Sequence, residues 1–438
     1  MATPTEQVYL GIDLGTGGVK AAVVARDGSV LGTASSPCVM RHPHSGWAEQ
    51  NPEDYWTASC EVAKDAIAQA DIDPEHVKGL AFAGQMLTLV PVDATGRPTR
   101  PAISWLDSRA DAEAMRITRR MGGRAMVRSF AGAVPSGKDV IAKVSWIRSH
   151  EPDVYAHTEA FLDATGYLVA RATGELLIDH SGVSGTGIIN RRTRGWSRPL
   201  ALLGGWPLRK MPSVRRSVDV AGSLRRDAAE DLGLRPGVPV VMGMGDAAAA
   251  EVGTGALGEG DAHVYLGTSG WLGVHLSRPR HLGRSGIVSI ASADPTSWLL
   301  IAETQTAGAT VDWFLGAVGL GPAEPDDDGN RYDALSRLVE RSPSGARGVL
   351  FAPWLTGERA PVTDTALRGA FVGLGLDHDR SDLARAVLEG VAINMRWSAD
   401  EIRAAGIPLD VLRAAGEERA PMSGSRSSPT CWAPASSG

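Results

Sequence analysis

Residues 11–20, Gly11-Ile12-Asp13-Leu14-Gly15-Thr16-Gly17-Gly18-Val19-Lys20, confine the start of this chain to one local design. The apolar run over 8–12 predicts a strand that ends on an aspartate, and residues 19–24 predict a second strand. Between them the glycines and Thr16 predict a tight turn, because glycine takes positive φ at no steric cost and lets a ligand approach the backbone. The amides of such a turn and the Thr16 hydroxyl are donors for phosphate oxygens, and Asp13 stands where a carboxylate can hold a hydrated cation. An ordinary hairpin with a solvated aspartate has the same local pattern, so this turn alone leaves both readings open.

The design returns about 250 residues later, which points to an internal repeat. Val264-Tyr265-Leu266-Gly267-Thr268-Ser269-Gly270 is again strand, then a glycine- and hydroxyl-rich turn, then the apolar residues 271–274. Before it, the apolar run 240–242 leads into Gly243-Met244-Gly245-Asp246, a strand-end aspartate freed by glycines. Two strand–turn–strand units with an aspartate between them predict a duplicated α/β fold that clamps a nucleotide between its halves. Asp246 fits a general base in that cleft, or else the cap of a helix over the alanine-rich residues 247–250.

Length and charge bound the reading. At 438 residues the chain has room for two domains, each with its own core. A net charge of −6 with scattered basic residues favours neither nucleic acid nor an anionic membrane, and no uncharged apolar run approaches a membrane span. The three cysteines, Cys38, Cys60 and Cys431, lack metal-type spacing and fit a reducing compartment. Without a basic-then-apolar leader at the N-terminus, the expected location is cytoplasmic. Trp47, Trp105, Trp271, Trp313 and Trp354 lie beside polar motifs, where an indole serves either as a sugar-stacking face or as a core anchor.

Alternating patterns predict strands over 8–13, 18–25, 29–34, 79–83 and 88–92, with a helix capped near Asn51-Pro52-Glu53. Helices are predicted over 109–121, 140–150, 163–172, 225–232, 305–316, 331–341 and 380–404, and the strand–turn–strand pattern restarts near 238. The expected organisation is an N-terminal domain over 1–252, a C-terminal domain over 253–416 and a tail over 417–438 without periodicity.

These residues closely resemble the FGGY carbohydrate kinases, and within them the xylulokinase branch. Gly11 to Thr16 is similar to the family's opening phosphate motif. Trp47-Ala48-Glu49-Gln50-Asn51-Pro52, Gly84-Gln85-Met86 and Trp105-Leu106-Asp107-Ser108-Arg109 resemble its sugar-side segments. Gly245-Asp246 falls at the catalytic aspartate, residues 266–270 at the second phosphate motif, and Gly357-Glu358-Arg359 with residues 369–389 at the C-terminal signature. The resemblance implies two ribonuclease-H-like domains of the actin/hexokinase ATPase type with a cleft between them, the second truncated at its C-terminus. It also implies transfer of the γ-phosphoryl group of ATP to a sugar or polyol hydroxyl, with Mg2+ as the cation. Asp246 is then the base and Asp13 the magnesium residue. Gly15, Thr16, Gly17, Gly267, Thr268, Ser269 and Gly308 are the nucleotide residues, and Gln85, Met86, Trp105 and Asp107 the sugar residues. A small-molecule acceptor is the expected partner, with a homodimer left open.

Three positions depart from the xylulokinase pattern. Leu87 stands where a histidine usually follows Gly-Gln-Met, Ala247 where an amide usually follows the aspartate, and Leu106 where a polar residue usually follows the tryptophan. Each removes a hydrogen-bonding group from the expected sugar face, which weakens discrimination among polyols. A glycerol-type acceptor and a non-catalytic sugar- or nucleotide-binding relic therefore stay open as alternatives. Residues 416–438, back-translated and read two nucleotides later, can give a segment resembling the family's continuation. The tail is thus expected to be a frameshift product, from a sequencing error or from a real lesion, and a real lesion is expected to lower activity.

Overall fold

Strand β1 (Val8–Leu14) alternates sharply: Val8, Leu10, Ile12 and Leu14 are at most 2% exposed while the residues between them reach the other face. It forms a hairpin with β2 (Gly18–Ala25), in the register Asp13 opposite Lys20 and Leu14 opposite Val19, and β2 pairs with β3 (Val30–Pro37). Helix α1 (Pro52–Gln69) starts where Asn51 accepts the Glu53 amide and proline fills the first position. Its buried stripe of Tyr55, Trp56, Ser59, Val62, Ala63, Ala66 and Ile67 lies on the sheet. The chain then returns as β4 (Val77–Gly84), parallel to β1.

The computed structural model describes residues 7–131, 134–283, 285–317, 331–409 and 411–416, so the tail over 417–438 lies outside the described residues. The chain divides into two units. The first comprises the described residues through Val252 together with Ile290–Trp298, and the second Gly253–Ser289 with the described residues from Leu299 onward.

In the first unit, α2 (Val140–His150), α3 (Ala164–Thr173) and α4 (His180–Gly185) precede β5 (Val220–Ser223), β6 (Pro239–Gly245) and α5 (Asp246–Gly253). The sheet order is β5-β6-β4-β1-β2-β3, with β1, β4 and β6 mutually parallel. A separate apolar cluster, including Leu89, Ile103, Trp146, Ile147 and Trp206, builds a lobe beside it.

The second unit repeats the plan. A hairpin of β7 (Ala262–Leu266) and β8 (Gly270–Leu276) is followed by β9 (Val288–Ala291), β10 (Trp298–Thr304), α6 (Gly308–Ala317), α7 (Arg380–Ala404) and β11 (Leu412–Gly416). The order is β9-β10-β8-β7-β11, and β11 is parallel to β7 after a helical crossover, as β4 is to β1. The duplication extends to register. Leu14 faces Gly84 and Leu266 faces Gly416, each the last strand residue before a glycine-rich turn. Strand β11 has no counterpart in the sequence reading, because Leu412-Arg413-Ala414-Ala415-Gly416 carries too little apolar alternation to announce itself.

A buried carboxyl pair lies behind β6. Asp163 caps α3 through the Gly166 amide, at 2.7 Å, while Asp179 accepts the Ser181 and Gly182 amides and the Ser181 and Ser217 hydroxyls. A Cβ on Gly182 would lie 2.3 Å from Asp163 Oδ2 and 3.1 Å from Asp179 Oδ1, so both carboxyls crowd one glycine. Burial, and then the Asp179 charge, push the Asp163 carboxyl up to about 7. Between the unfolded value of 3.8 and about 7 the folded chain keeps a proton that the unfolded chain has lost. This group's stabilisation is therefore complete below pH 3.8 and is lost as pH rises toward 7. Asp163→Asn keeps the cap acceptor and removes the charge. It is expected to raise stability by about 1–2 kcal/mol at pH 8, with the gain vanishing near pH 4. Urea unfolding at both pH values measures this, and equal midpoints at pH 8 would contradict it.

Candidate active site

The site in the first unit follows from strand register. Leu14 pairs with Gly84 across β1 and β4, and Gly84 with Gly245 across β4 and β6. The three parallel strands therefore stop side by side, and the segment after each leaves the same edge of the sheet. Those segments are Gly15-Thr16-Gly17, Gln85-Met86-Leu87 and Asp246. The carboxyl edge of parallel strands is where open α/β sheets bind ligands.

Asp13 lies one residue before the end of β1, half-buried, with Lys20 and Ala83 as its neighbours in register. The following turn closes through the Gly15 amide on the Gly18 carbonyl, at 2.9 Å. Its Thr16 is held from two sides. The Trp105 indole N–H donates to the Thr16 hydroxyl at 2.7 Å, and Gln50 Nε2 donates to the Thr16 carbonyl at 3.0 Å. Trp105 itself is 6% exposed, so it anchors the turn as well as bordering the edge.

Gln85 and Asp107 sit deeper than the sugar-facing role expected of them. Gln85 Nε2 donates to Gln50 Oε1 at 2.9 Å, and that oxygen also accepts the Tyr55 hydroxyl. Asp107 is fully buried: Oδ2 accepts the Ala48 amide at 2.6 Å, and both oxygens grip the Arg109 guanidinium. Arg109 lies 3.6 Å from the centre of the Trp47 ring and pairs with Glu49, which also holds Arg100. Asp107 thus fixes the 47–50 segment, through which Gln50 reaches Thr16. Gln50 and Arg109 lie in the expected sugar-side segments but were not singled out as site residues, and Tyr55 was not among the candidates.

Met86 is at the edge itself. A Cβ on Gly245 would lie 2.4 Å from Met86 Cγ, so the thioether covers the backbone beside Asp246. Asp246 is the first residue of α5, half-buried, with Oδ1 accepting the Ala247 amide at 2.9 Å, and it stands at the edge. The Gly245 amide donates to Ser181 Oγ, which donates in turn to Asp179, so the residue before Asp246 is held from beneath. Of the departing positions, Ala247 is buried in α5, while Leu87 and Leu106 are half-buried.

In the second unit the Gly267, Thr268, Ser269 and Gly308 positions come together. The Gly267 amide closes on the Ser269 carbonyl, and the start of α6 docks on the turn. Gly308 donates to the Gly267 carbonyl at 2.8 Å, and Ala307 and Ala309 to the Thr268 carbonyl. A Cβ on Gly308 would lie 2.6 Å from the Gly267 oxygen, so glycine permits this approach. Thr268 is exposed and Ser269 half-exposed. Behind them Glu358, pushed upward by burial, accepts the Thr304 hydroxyl, the Gln305 and Arg359 amides and the Asn394 amide.

Among the described residues, no group of three or more histidine, cysteine or carboxylate side chains is disposed to hold a metal. That does not oppose magnesium, which keeps most of its water and takes one or two carboxylates plus substrate phosphates. No described helix is long and apolar enough to cross a membrane.

Known proteins resemble this chain over most of its length. Xylulose kinase of Escherichia coli (strain K12) is 32% identical over 417 residues, covering 94% of this chain and 82% of that protein. Gluconokinase of Bacillus subtilis (strain 168) is 26% identical over 389 residues, covering 88% and 75%. The crystal structure of a xyloylose kinase from Brucella ovis superposes with a TM-score of 0.81 at 31% identity, over 94% of this chain and 82% of that one. The N-terminal domain model of the FGGY family of carbohydrate kinases matches residues 8–253 and its C-terminal domain model residues 262–417. With both domains of the two-domain α/β fold matched, the chain belongs to the FGGY family of carbohydrate kinases.

Proposed function

We propose that this chain transfers the γ-phosphoryl group of ATP to a hydroxyl of a ketopentose such as D-xylulose, or of a related polyol, with Asp246 as the base. The observation that carries the reading is the alignment of Leu14, Gly84 and Gly245, which puts a phosphate-type turn, a half-apolar segment and a carboxylate on one sheet edge. Phosphoryl transfer asks a protein for positioning and charge more than for covalent chemistry. Asp246 accepts the proton of the attacking hydroxyl. The Thr16 hydroxyl, oriented by Trp105, and the amides of residues 16 and 17 bind phosphate oxygens, while the Gly15 amide holds the turn closed on the Gly18 carbonyl. Gly267, Thr268, Ser269 and Gly308 are assigned to the nucleotide. Asp13 is the residue for Mg2+, which offsets triphosphate charge when bound.

On the acceptor side, Met86 faces the substrate directly, while Gln85, Trp105 and Asp107 shape the site through the contacts described above. With Leu87, Leu106 and Ala247 in place, the wall offers few donors. The acceptor is therefore a ketopentose or a less hydroxylated polyol rather than one chosen by many polar contacts.

Coupled ADP release over D-xylulose, other ketoses, gluconate and glycerol tests this. The expected result is the highest kcat/KM for a ketopentose. Glycerol ranking first would change the acceptor assignment. Sugar binding without ADP release from any acceptor would make the chain a binding relic.

A further inference from the structure

Lys143, on α2, is fully buried yet plays no part in the chemistry above. Its Nζ donates to the Leu87 carbonyl at 2.9 Å and to the Ser104 carbonyl at 2.8 Å. Those two carbonyls belong to the two acceptor-side segments. The segments run antiparallel, and at one end Leu89 and Ile103 exchange both backbone hydrogen bonds at 2.9 Å. The Trp105 amide reaches Thr88 Oγ1 at 3.3 Å. Toward the sheet edge the ladder stops, and the next two carbonyls converge on one ammonium. Leu87 adopts a φ of +62°, a left-handed conformation unfavourable for a side chain branched at Cγ. A residue persists there only when its surroundings over-determine it.

We infer that Lys143 is a positioning residue for the acceptor site. It pins the left-handed turn at Leu87, which aims Met86 across Gly245 toward Asp246, and it couples that turn to Ser104-Trp105, whose indole holds Thr16. A compact ammonium carries several donors and can serve two carbonyls at once, whereas a neutral chain leaves two buried acceptors facing each other. This inference rests on the assignment of residues 85–87 and 105 to the acceptor side.

Lys143→Met is expected to lower kcat/KM for the acceptor about 100-fold while the KM for ATP stays within about twofold, as displacement of a positioning segment does. Hydrogen exchange is expected to quicken at amides 86–89 and 104–106 and to stay unchanged in the second unit. Lys143→Arg keeps a buried cation and should recover part of the loss. In a Leu87→Gly background, where the turn no longer needs enforcing, Lys143→Met should lose clearly less. Exchange rising evenly through the first unit with an unchanged acceptor KM would overturn the inference. So would an equal loss in the Leu87→Gly background. Should Lys143→Met not fold, Lys143→Arg and the double variant supply the same comparison. A wild-type chain that phosphorylates no acceptor sinks the kinase assignment instead, and the local exchange pattern then decides on Lys143 by itself.

Discussion

Asp246→Asn is expected to abolish most turnover, by about 10²–10⁴-fold in kcat, while leaving the fold and acceptor binding in place. The substitution is nearly isosteric, and the contact that Asp246 makes within its own helix survives it. Oδ1 accepts the Ala247 amide at 2.9 Å, and an asparagine oxygen can accept the same bond. In the proposed role, what disappears is the capacity to take a proton from an alcohol as its oxygen attacks phosphorus. The loss should therefore fall on kcat, with the acceptor KM nearly unchanged, the pattern of a contact made only as the reaction proceeds. Asp246→Ala should lose turnover to a similar extent and some stability as well, because the Ala247 amide is left without that acceptor. ADP release and thermal unfolding, measured together, separate the two effects. Turnover above a tenth of wild type in Asp246→Asn would remove Asp246 from the chemistry and move the search to another proton acceptor on the same edge.

The features legible in the sequence were those carried by a few adjacent residues. Gly15-Thr16-Gly17 and Gly267-Thr268-Ser269 announced their turns because glycines between two apolar runs mark a tight connection between strands. Helices α1 and α7 were equally plain, one from Asn51-Pro52 at its start and the other from its predicted span over 380–404, which the structure matches. Contacts that depend on distant residues were not legible. Gln85 looks like a sugar donor until Gln50, 35 positions away, takes its Nε2. Asp107 looks equally available, but the Ala48 amide, 59 positions away, and Arg109 enclose its carboxylate. Lys143 drew no reading from the sequence, because nothing local shows that the Leu87 and Ser104 carbonyls converge on it. Sequence patterns report which side chains want burial. They do not report which buried polar groups find one another.

Gly243→Ala is expected to be among the most damaging single changes in the first unit, because the aim of Asp246 depends on a bulge there. Along β6, Val241 pairs with Ala81 but Met244 pairs with Ala83, so three steps on one strand match two on its neighbour. The extra residue is absorbed around Gly243, whose φ is +72° and whose amide turns away to the Ser217 carbonyl. Because side chains alternate along a strand, removing that insertion would turn Gly245 and Asp246 onto the opposite face. A Cβ on Gly243 would lie 1.8 Å from the Phe82 carbonyl oxygen, backbone within the central strand β4, so the clash cannot be relieved by a rotamer change. Positive φ and a forced shift of packed backbone together should cost about 3 kcal/mol, lowering the midpoint of thermal unfolding by roughly 10 °C. Gly28→Ala is the matched control. Its φ is +90° but nothing lies within 4 Å of the added carbon, so it should cost only about 1 kcal/mol. If Gly243→Ala folds, it should also lose most of its turnover, since relief of the clash moves β6 against β4 at the point where Gly245 meets Gly84. Equal losses of stability in the two variants would mean that β6 tolerates sliding past β4, and that the bulge does not fix where Asp246 points.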